Sequence, residues 1–165
     1  MSRAYIGLGS NLDDPLAQLQ RATSALANLP QTLLAAASNV YRSRAIGPGI
    51  QPDYLNAAAV LNTDLEPLTL LCALQAIENA QGRERHQRWG ARTLDLDLLA
   101  YDDLVLDTPE LTLPHPRISE RDFVLYPLAE ISDTRHLLPG NASLDTLIEA
   151  CPDNGIARTG WKLGQ

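Results

Sequence analysis

Apolar and polar positions near the start of the chain predict a strand followed by a helix. Residues 5–8 form a short apolar run that predicts the first strand. Asp14 is expected to cap the following helix, with Pro15 at its first position. Pro30 is expected to lie beyond its end, and the apolar stripe is predicted to consist of Leu16, Leu19, Leu26 and Leu29.

Two more strands and a second helix are predicted next. One strand, marked by Val40 and Tyr41, is expected within the alanine-rich residues 33–43, and another is expected at residues 57–63. Pro67 is expected to begin the second helix and Gly82 to end it. The buried side of this helix is predicted to consist of Leu68, Leu71, Leu74 and Ile77.

Strict alternation of leucine and aspartate predicts a fourth strand. Asp95 and Asp97 should project from one face of this strand. The opposite face should carry Leu94, Leu96 and Leu98. The predicted order βαββαβ is the ferredoxin-like α+β arrangement, an antiparallel sheet with its helices packed on one face.

A C-terminal hairpin and short helices are predicted after this unit. Residues 104–106 should form a strand after a turn. Ser119 is expected to cap a short helix, with Asp122 in the capping-box position. Residues 144–151 should form another helix, capped by Ser143.

Length and charge narrow the classes of function. A chain of 165 residues fits one domain, residues 1–165, with a substantial core. A net charge of −7 argues against nonspecific binding to nucleic acid or anionic membranes. Without an apolar run of membrane-spanning length or a signal-peptide core, the protein is expected to be cytoplasmic. Cys72 and Cys151 are interpreted as packing thiols.

The candidate chemistry is concentrated in residues 78–101. Two carboxylates on one strand face repel each other unless a cation lies between them, and oxygen-only ligands suit magnesium. The segment before the strand contains four arginines, whose planar forks match phosphate oxygens. These are Arg83, Arg85, Arg88 and Arg92. Together they indicate a metal-bound polyphosphate, although a solvated strand face and a surface loop explain either feature alone.

Other candidates keep a structural alternative. Gly7 and Gly9 lack the full phosphate-loop pattern and favour a tight strand exit. Residues 46–53 are expected to form either a lid or ligand wall, or an ordinary connection. His115 lies between two prolines, where a structural role is the commoner one. Glu78 is expected to face inward or along the boundary of its helix.

Several motifs in order resemble the 6-hydroxymethyl-7,8-dihydropterin pyrophosphokinases, over residues 4 to 130. The motifs are residues 7–11, 51–57, 82–85, 88–99 and 113–115, together with Arg121 and Phe123. The resemblance implies magnesium-dependent transfer of pyrophosphate from ATP to 6-hydroxymethyl-7,8-dihydropterin, giving AMP and the pterin diphosphate in folate biosynthesis. It implies two magnesium ions bound with ATP, and a monomer without nucleic-acid or membrane partners is expected.

The resemblance also implies a role for individual residues. Catalysis would use Arg83, Arg85, Arg92, Asp95, Asp97 and His115, with Asp95 and Asp97 as the magnesium ligands. The ATP site would consist of Gln75, Glu78, Arg85, Trp89, Arg92, Leu98, Thr112, His115 and Arg121. The pterin site would consist of Ser43, Arg44, Ile46, Tyr54, Asn56, Asp95 and Phe123.

The chain departs from the family pattern at three places, and two rival functions stay open. Ala91, Arg44-Ala45 and Pro116 stand where family members often have other residues.

A magnesium phosphohydrolase or nuclease would also use the two aspartates, but it would transfer the phosphoryl group to water. A non-catalytic ferredoxin-like RNA-binding module would need aromatic residues on a basic sheet, and the sequence predicts neither.

Overall fold

The computed structural model describes residues 1–11, 14–43, 53–81, 94–132, 137–138, 142–151 and 156–163. The strands are β1 (Ser2–Ser10), β2 (Thr32–Ala37), β3 (Asn39–Ser43), β4 (Tyr54–Thr63), β5 (Asp95–Tyr101), β6 (Leu106–Asp107), β7 (Thr112–Leu113), β8 (Leu137–Leu138), β9 (Ala142–Ser143) and β10 (Ala157–Lys162). The α-helices are α1 (Pro15–Ala27), α2 (Pro67–Ala80), α3 (Asp122–Ile131) and α4 (Leu144–Ala150).

A six-stranded sheet forms the centre of the fold. Its strands run in the order β10-β3-β4-β1-β5, and β2 pairs with the C-terminal half of β4. Neighbouring strands in this sheet are antiparallel. The ferredoxin-like prediction is therefore confirmed. The edge strand β10 was not predicted, and it adds the C-terminal part of the chain to the same sheet.

The first two helices cover one face of the sheet. Asp14 caps α1 through its side chain, which accepts a hydrogen bond from the Ala17 N–H at 3.4 Å. Leu19 and Leu26 of α1 and Leu70 and Leu74 of α2 are fully buried in one core with Ile6 of β1. The predicted Asp14 cap and both helix starts are confirmed, because each helix begins at its proline; Gly82, predicted to end α2, lies outside the described residues.

The predicted buried side of α2 is wrong at its first position. Leu68 is 48% exposed, whereas Leu70 is fully buried. The two residues lie about 200° apart around a helix, so they cannot share a face. Cys72 is exposed rather than a packing thiol, while Cys151 is buried as predicted.

The second predicted strand is divided in two at Ser38. Its backbone N–H donates to the Ala58 carbonyl, and its Oγ accepts from the Ala58 N–H, both at 2.9 Å. The same hydroxyl donates to the Asn39 carbonyl at 2.7 Å. These hydrogen bonds let β2 and β3 pair with successive halves of β4. Strand β4 begins at Tyr54, so it is longer than the predicted strand at residues 57–63.

The other face of the sheet packs against α3. Val124, Leu125 and Leu128 of this helix share a second core with sheet residues that include Tyr5 and Val60. Because α1 and α2 lie on the opposite face, the sheet is covered on both sides. Among the helices of the described residues, none has the length and apolar character needed to cross a membrane.

The segment between β5 and α4 corrects two predictions. The hairpin is formed by β6 and β7, not by residues 104–106 returning along β5. Ser119 does not cap a helix, because it lies inside a 3-10 turn at Ile118–Glu120. The following helix begins at Asp122 without a side-chain cap. Ser143 does cap α4, since its Oγ accepts from the Thr146 N–H at 3.2 Å.

Candidate active site

A cleft of about 870 Å³ lies on the α3 side of the sheet, where β1, β4 and β5 meet the segment before α3. The sheet supplies Gly9, Ser43, Tyr54, Asn56, Asp95 and Asp97 to its wall. The opposite wall consists of Arg117, Glu120, Arg121, Asp122 and Phe123. Both predicted carboxylates thus lie around one cavity with four further residues of the predicted pterin site, Ser43, Tyr54, Asn56 and Phe123.

The carboxylate pair has the predicted orientation. Asp95 and Asp97 are half-buried on the cleft side of β5, and the three leucines of the alternation are at most 5% exposed on the other. The Oδ2 atom of Asp97 lies 4.0 Å from Nη1 of Arg121. The cleft therefore places an arginine beside the two acids.

Glycines of β1 lie next to both carboxylates. Gly9 pairs with Asp95 on one side and Asn56 on the other, and Gly7 pairs with Asp97. A Cβ at Gly9 would lie 3.3 Å from Oδ1 of Asn56, closer than ordinary van der Waals contact. Both glycines lie inside β1, so the predicted tight strand exit is wrong. Their small size keeps the floor of the cleft open.

Glu78 of α2 binds the backbone of β5 between the two aspartates. It lies in the last turn of α2 and is 6% exposed. Its Oε2 accepts a hydrogen bond from the Leu96 N–H at 2.8 Å. Leu96 lies between Asp95 and Asp97, so this contact ties both acids to α2.

The same cleft also contains an amide and two aromatic rings. Asn56 is 4% exposed, and its Nδ2 donates to Oγ of Ser43 at 2.6 Å. Tyr54 and Phe123 line the same cavity and are each half-buried. The Arg121 guanidinium lies 5.5 Å from the centroid of the Phe123 ring, within cation–π range.

His115 has a fixed backbone, and its Nδ1 atom accepts a hydrogen bond. Its backbone N–H donates to the Leu99 carbonyl at 2.8 Å, and its Nδ1 accepts from the Arg117 N–H at 3.2 Å. This acceptor role leaves the ring proton on Nε2. Burial lowers the pKa of His115; the charge of Asp97 opposes this effect, and the charges of Arg121 and Arg117 add to it.

A second groove of about 290 Å³ lies on the other side of Asp97. His115, Thr112 and Leu98, all predicted nucleotide residues, line it. Asp97 lines both this groove and the large cleft, so it stands at their common border. Gln75 is exposed on α2 and is not among the described wall residues of either cavity.

Part of the predicted site falls outside the described residues. This applies to Arg44, Ile46, Arg83, Arg85, Arg88, Trp89, Ala91 and Arg92. In the described part of the chain, no group of three or more His, Cys, Asp or Glu side chains could hold a metal ion. Any ion at the aspartate pair therefore needs further ligands from bound molecules, water or residues beyond those described.

Three charged residues of the cleft wall were not predicted as site residues from the sequence. They are Arg117, Glu120 and Asp122. Glu120 and Asp122 lie in the short segment predicted to be a helix capped by Ser119, and Arg117 lies just before that segment. The close spacing of Arg117 and Arg121 after His115 was the available signal, because both arginines closely follow a residue of the family motifs.

Comparisons with known proteins give a consistent relationship. The family model of 7,8-dihydro-6-hydroxymethylpterin-pyrophosphokinase (HPPK) matches residues 5–133. A protein of Pseudomonas aeruginosa named 2-amino-4-hydroxy-6-hydroxymethyldihydropteridine pyrophosphokinase is 50% identical, covering 96% of this chain and 97% of that protein. A protein of the same name from Haemophilus influenzae is 46% identical, covering 96% and 98%.

Solved structures agree at the level of the fold. The crystal structure of Plasmodium falciparum HPPK-DHPS wild type with pteroate matches with a TM-score of 0.71 at 12% identity. The match covers 90% of this chain but 42% of that longer chain. From the family match and the two bacterial relatives, we conclude that the chain belongs to the 7,8-dihydro-6-hydroxymethylpterin-pyrophosphokinase family.

Proposed function

We propose that the large cleft is the site at which this pyrophosphokinase transfers pyrophosphate from ATP to the hydroxymethyl group of 6-hydroxymethyl-7,8-dihydropterin. The products would be AMP and the pterin diphosphate, in a step of folate biosynthesis. The observation that carries the assignment is the single cavity shared by Asp95, Asp97, Asn56 and Phe123. One cavity thus combines acidic metal ligands with groups suited to a flat heterocycle.

Magnesium fits the acidic end of this cleft. Asp95 and Asp97 offer only oxygen donors, which suit a hard cation that keeps water and phosphate ligands. When bound, magnesium would neutralise charge on the β and γ phosphates of ATP. Because no group of three or more His, Cys, Asp or Glu side chains among the described residues could hold a metal ion, we propose that two ions bind together with the nucleotide, rather than before it.

The aromatic end of the cleft suits the pterin. Tyr54 and Phe123 would pack against the faces of the ring. The hydrogen bond to Ser43 fixes the plane of the Asn56 amide, so its carbonyl oxygen and second N–H can pair with the donor and acceptor edge of the heterocycle. By family resemblance, Arg44 and Ile46 would complete this pocket.

The smaller groove suits the nucleotide. Leu98 and Thr112 would contact the AMP part of ATP, and neutral His115 would donate from Nε2 to a phosphate oxygen. By family resemblance alone, the remaining nucleotide residues are Gln75, Glu78, Arg83, Arg85, Trp89 and Arg92. The border position of Asp97 supports transfer between the two cavities.

Positioning and charge neutralisation would provide most of the rate. The pterin hydroxyl must approach the β phosphorus in line with the oxygen that leaves with AMP. Arg121 would stabilise negative charge as it develops, because its guanidinium already lies beside Asp97. Its contact with the Phe123 ring would also link pterin binding to the placement of this charge.

We also propose a monomeric, single-domain protein that works in the cytoplasm without nucleic acid. Strands from both ends of the described chain, β1 and β10, belong to one sheet, which supports a single domain. The net charge of −7 supports the absence of a nucleic-acid partner. Sedimentation at several protein concentrations tests the monomer, and a dimer at low concentration would contradict it.

Product analysis tests the proposed reaction. The protein is incubated with ATP, magnesium and 6-hydroxymethyl-7,8-dihydropterin, and the products are separated by chromatography. AMP and the pterin diphosphate are expected, in equal amounts and only when the pterin is present. ADP with a pterin monophosphate would contradict the proposal. ADP and phosphate formed without pterin would favour the phosphohydrolase.

A further inference from the structure

The turn between β7 and α3 directs its residues to different cavities. His115 and Pro116 line the smaller groove, which we assign to the nucleotide. Arg117 lines the large cleft together with Asp95, Asp97 and Phe123, and it is not among the described wall residues of the smaller groove. Arg117 therefore lies on the pterin side of the border, although it is only two residues from His115.

The side chain of Arg117 is not engaged by an acid of the described chain. Arg121 pairs with Asp97 and Arg158 pairs with Glu130, both at 4.0 Å, whereas Arg117 has no ion pair within the described residues. Its backbone is nevertheless fixed, because its N–H donates to Nδ1 of His115. The result is an exposed guanidinium on a fixed backbone at the wall of an acidic cleft.

An arginine at this place suits a phosphate group that extends out of the pterin pocket. A pterin held by Asn56 and Phe123 would direct its hydroxymethyl group toward the aspartates and the facing wall. After transfer, that group carries two phosphates, whose oxygens match the planar fork of a guanidinium. AMP would lie on the other side of Asp97, away from Arg117.

We propose that Arg117 binds the diphosphate of the pterin product and thereby determines the affinity for this product, while contributing little to binding of AMP or of the pterin alcohol. The inference rests on the proposed function. Glu120 lines the same wall and would oppose the same ligand. Arg117 and Glu120 are therefore predicted to have opposite effects on the diphosphate.

Calorimetric titration with magnesium present tests this assignment. The ligands are 6-hydroxymethylpterin diphosphate, 6-hydroxymethylpterin and AMP, each added to wild type, Arg117→Gln, Arg117→Lys and Glu120→Gln. Arg21→Gln serves as a matched control, because Arg21 is an exposed arginine on α1, on the opposite face of the sheet. A thermal scan of each variant verifies that it is folded.

Arg117→Gln is expected to weaken binding of the diphosphate by roughly five- to tenfold, the usual effect of one exposed charge-assisted contact. Its affinities for the pterin alcohol and AMP should stay within twofold, and Arg117→Lys should recover part of the loss. Glu120→Gln should not weaken binding of the diphosphate, and Arg21→Gln should change none of the three affinities.

Three results would overturn the assignment. The first is diphosphate affinity within twofold of wild type in Arg117→Gln. The second is an equal loss for the alcohol and the diphosphate, because a structural defect acts on both. The third is a similar loss in Glu120→Gln. Failure of the proposed function is seen separately, as a wild type that forms no AMP from ATP and the dihydropterin.

Discussion

Replacing Glu78 by alanine should damage the proposed active site through the backbone of β5. The Glu78 carboxylate is buried and accepts the Leu96 N–H at 2.8 Å, directly between the two proposed magnesium ligands. Glu78→Ala removes the acceptor and leaves this N–H without its partner behind the strand. Glu78→Gln keeps one oxygen acceptor, but it removes the charge and replaces the second oxygen by an NH2 group.

The expected size of the effect follows from this contact. A hydrogen bond to a charged acceptor contributes about 1.5 to 3 kcal/mol, and an unsatisfied buried group costs a similar amount. We expect Glu78→Ala to lower the free energy of unfolding by about 2 to 4 kcal/mol and Glu78→Gln by about 1 kcal/mol. For a chain of this length, each kcal/mol lowers Tm by roughly 2 to 4 °C.

Activity should fall further than stability alone explains. Asp95 and Asp97 flank Leu96, so a shift of its backbone moves both acids together. A misplacement of about 1 Å can reduce a rate by roughly 100-fold. We therefore expect kcat/KM of Glu78→Ala to fall by about 10- to 100-fold at a temperature where the variant is fully folded.

Denaturant unfolding and product formation are measured on the same preparations. Glu66→Ala is the control, because Glu66 is an exposed glutamate at the other end of α2 and makes no side-chain cap. It should behave like wild type in both assays. Wild-type stability and turnover in Glu78→Ala would refute the argument. Equal losses in the alanine and glutamine variants would show that charge, rather than the hydrogen bond, is required.

Three further predictions follow from single residues. Asp95→Asn or Asp97→Asn should abolish pyrophosphate transfer without changing Tm, because each variant loses an anionic magnesium ligand but almost no side-chain volume. Normal turnover of either variant at ordinary magnesium would contradict the metal assignment. Phe123→Ala should weaken pterin binding by roughly 1 to 3 kcal/mol in calorimetry and leave nucleotide binding nearly unchanged; equal losses would indicate a structural role. Burial, and then the hydrogen bond and charge of Glu130, raise the pKa of Tyr41 to about 12 from 10. The Tyr41 hydroxyl therefore ionises at a lower pH in the unfolded chain than in the folded one. Its contribution to the free energy of unfolding is full below pH 10 and is lost as the pH rises toward 12. Urea unfolding of Tyr41→Phe should show a smaller loss of stability at alkaline pH than wild type, and an equal loss would contradict this prediction.

Elements with one clearly buried face could be predicted from the sequence. The Leu-Asp alternation of β5 reports its two environments directly, since the leucines face the core and the aspartates face the cleft. Asp14 and the prolines at the starts of α1 and α2 act through local backbone chemistry, which does not depend on the rest of the fold.

Elements decided by distant partners could not be predicted in the same way. Helix α2 carries leucines on more than one side, so the sequence could not identify the side that meets the sheet. The break at Ser38 depends on two hydrogen bonds with Ala58, which is on another strand. Strand β10 is mostly exposed along its length, so it has no alternation to detect.

The proposed pterin site shows why motifs alone were not sufficient. Its amide and its first acid are 39 residues apart in the sequence, at Asn56 and Asp95, and both pair with Gly9. Adjacent strands are about 4.8 Å apart, so the two side chains stand about 10 Å apart across the glycine, a span that suits a bicyclic ring with its hydroxymethyl arm. A register shift of one residue in either strand would turn one of these groups to the opposite face of the sheet. The motifs therefore supply the chemical groups, while the register of β4, β1 and β5 creates the space between them.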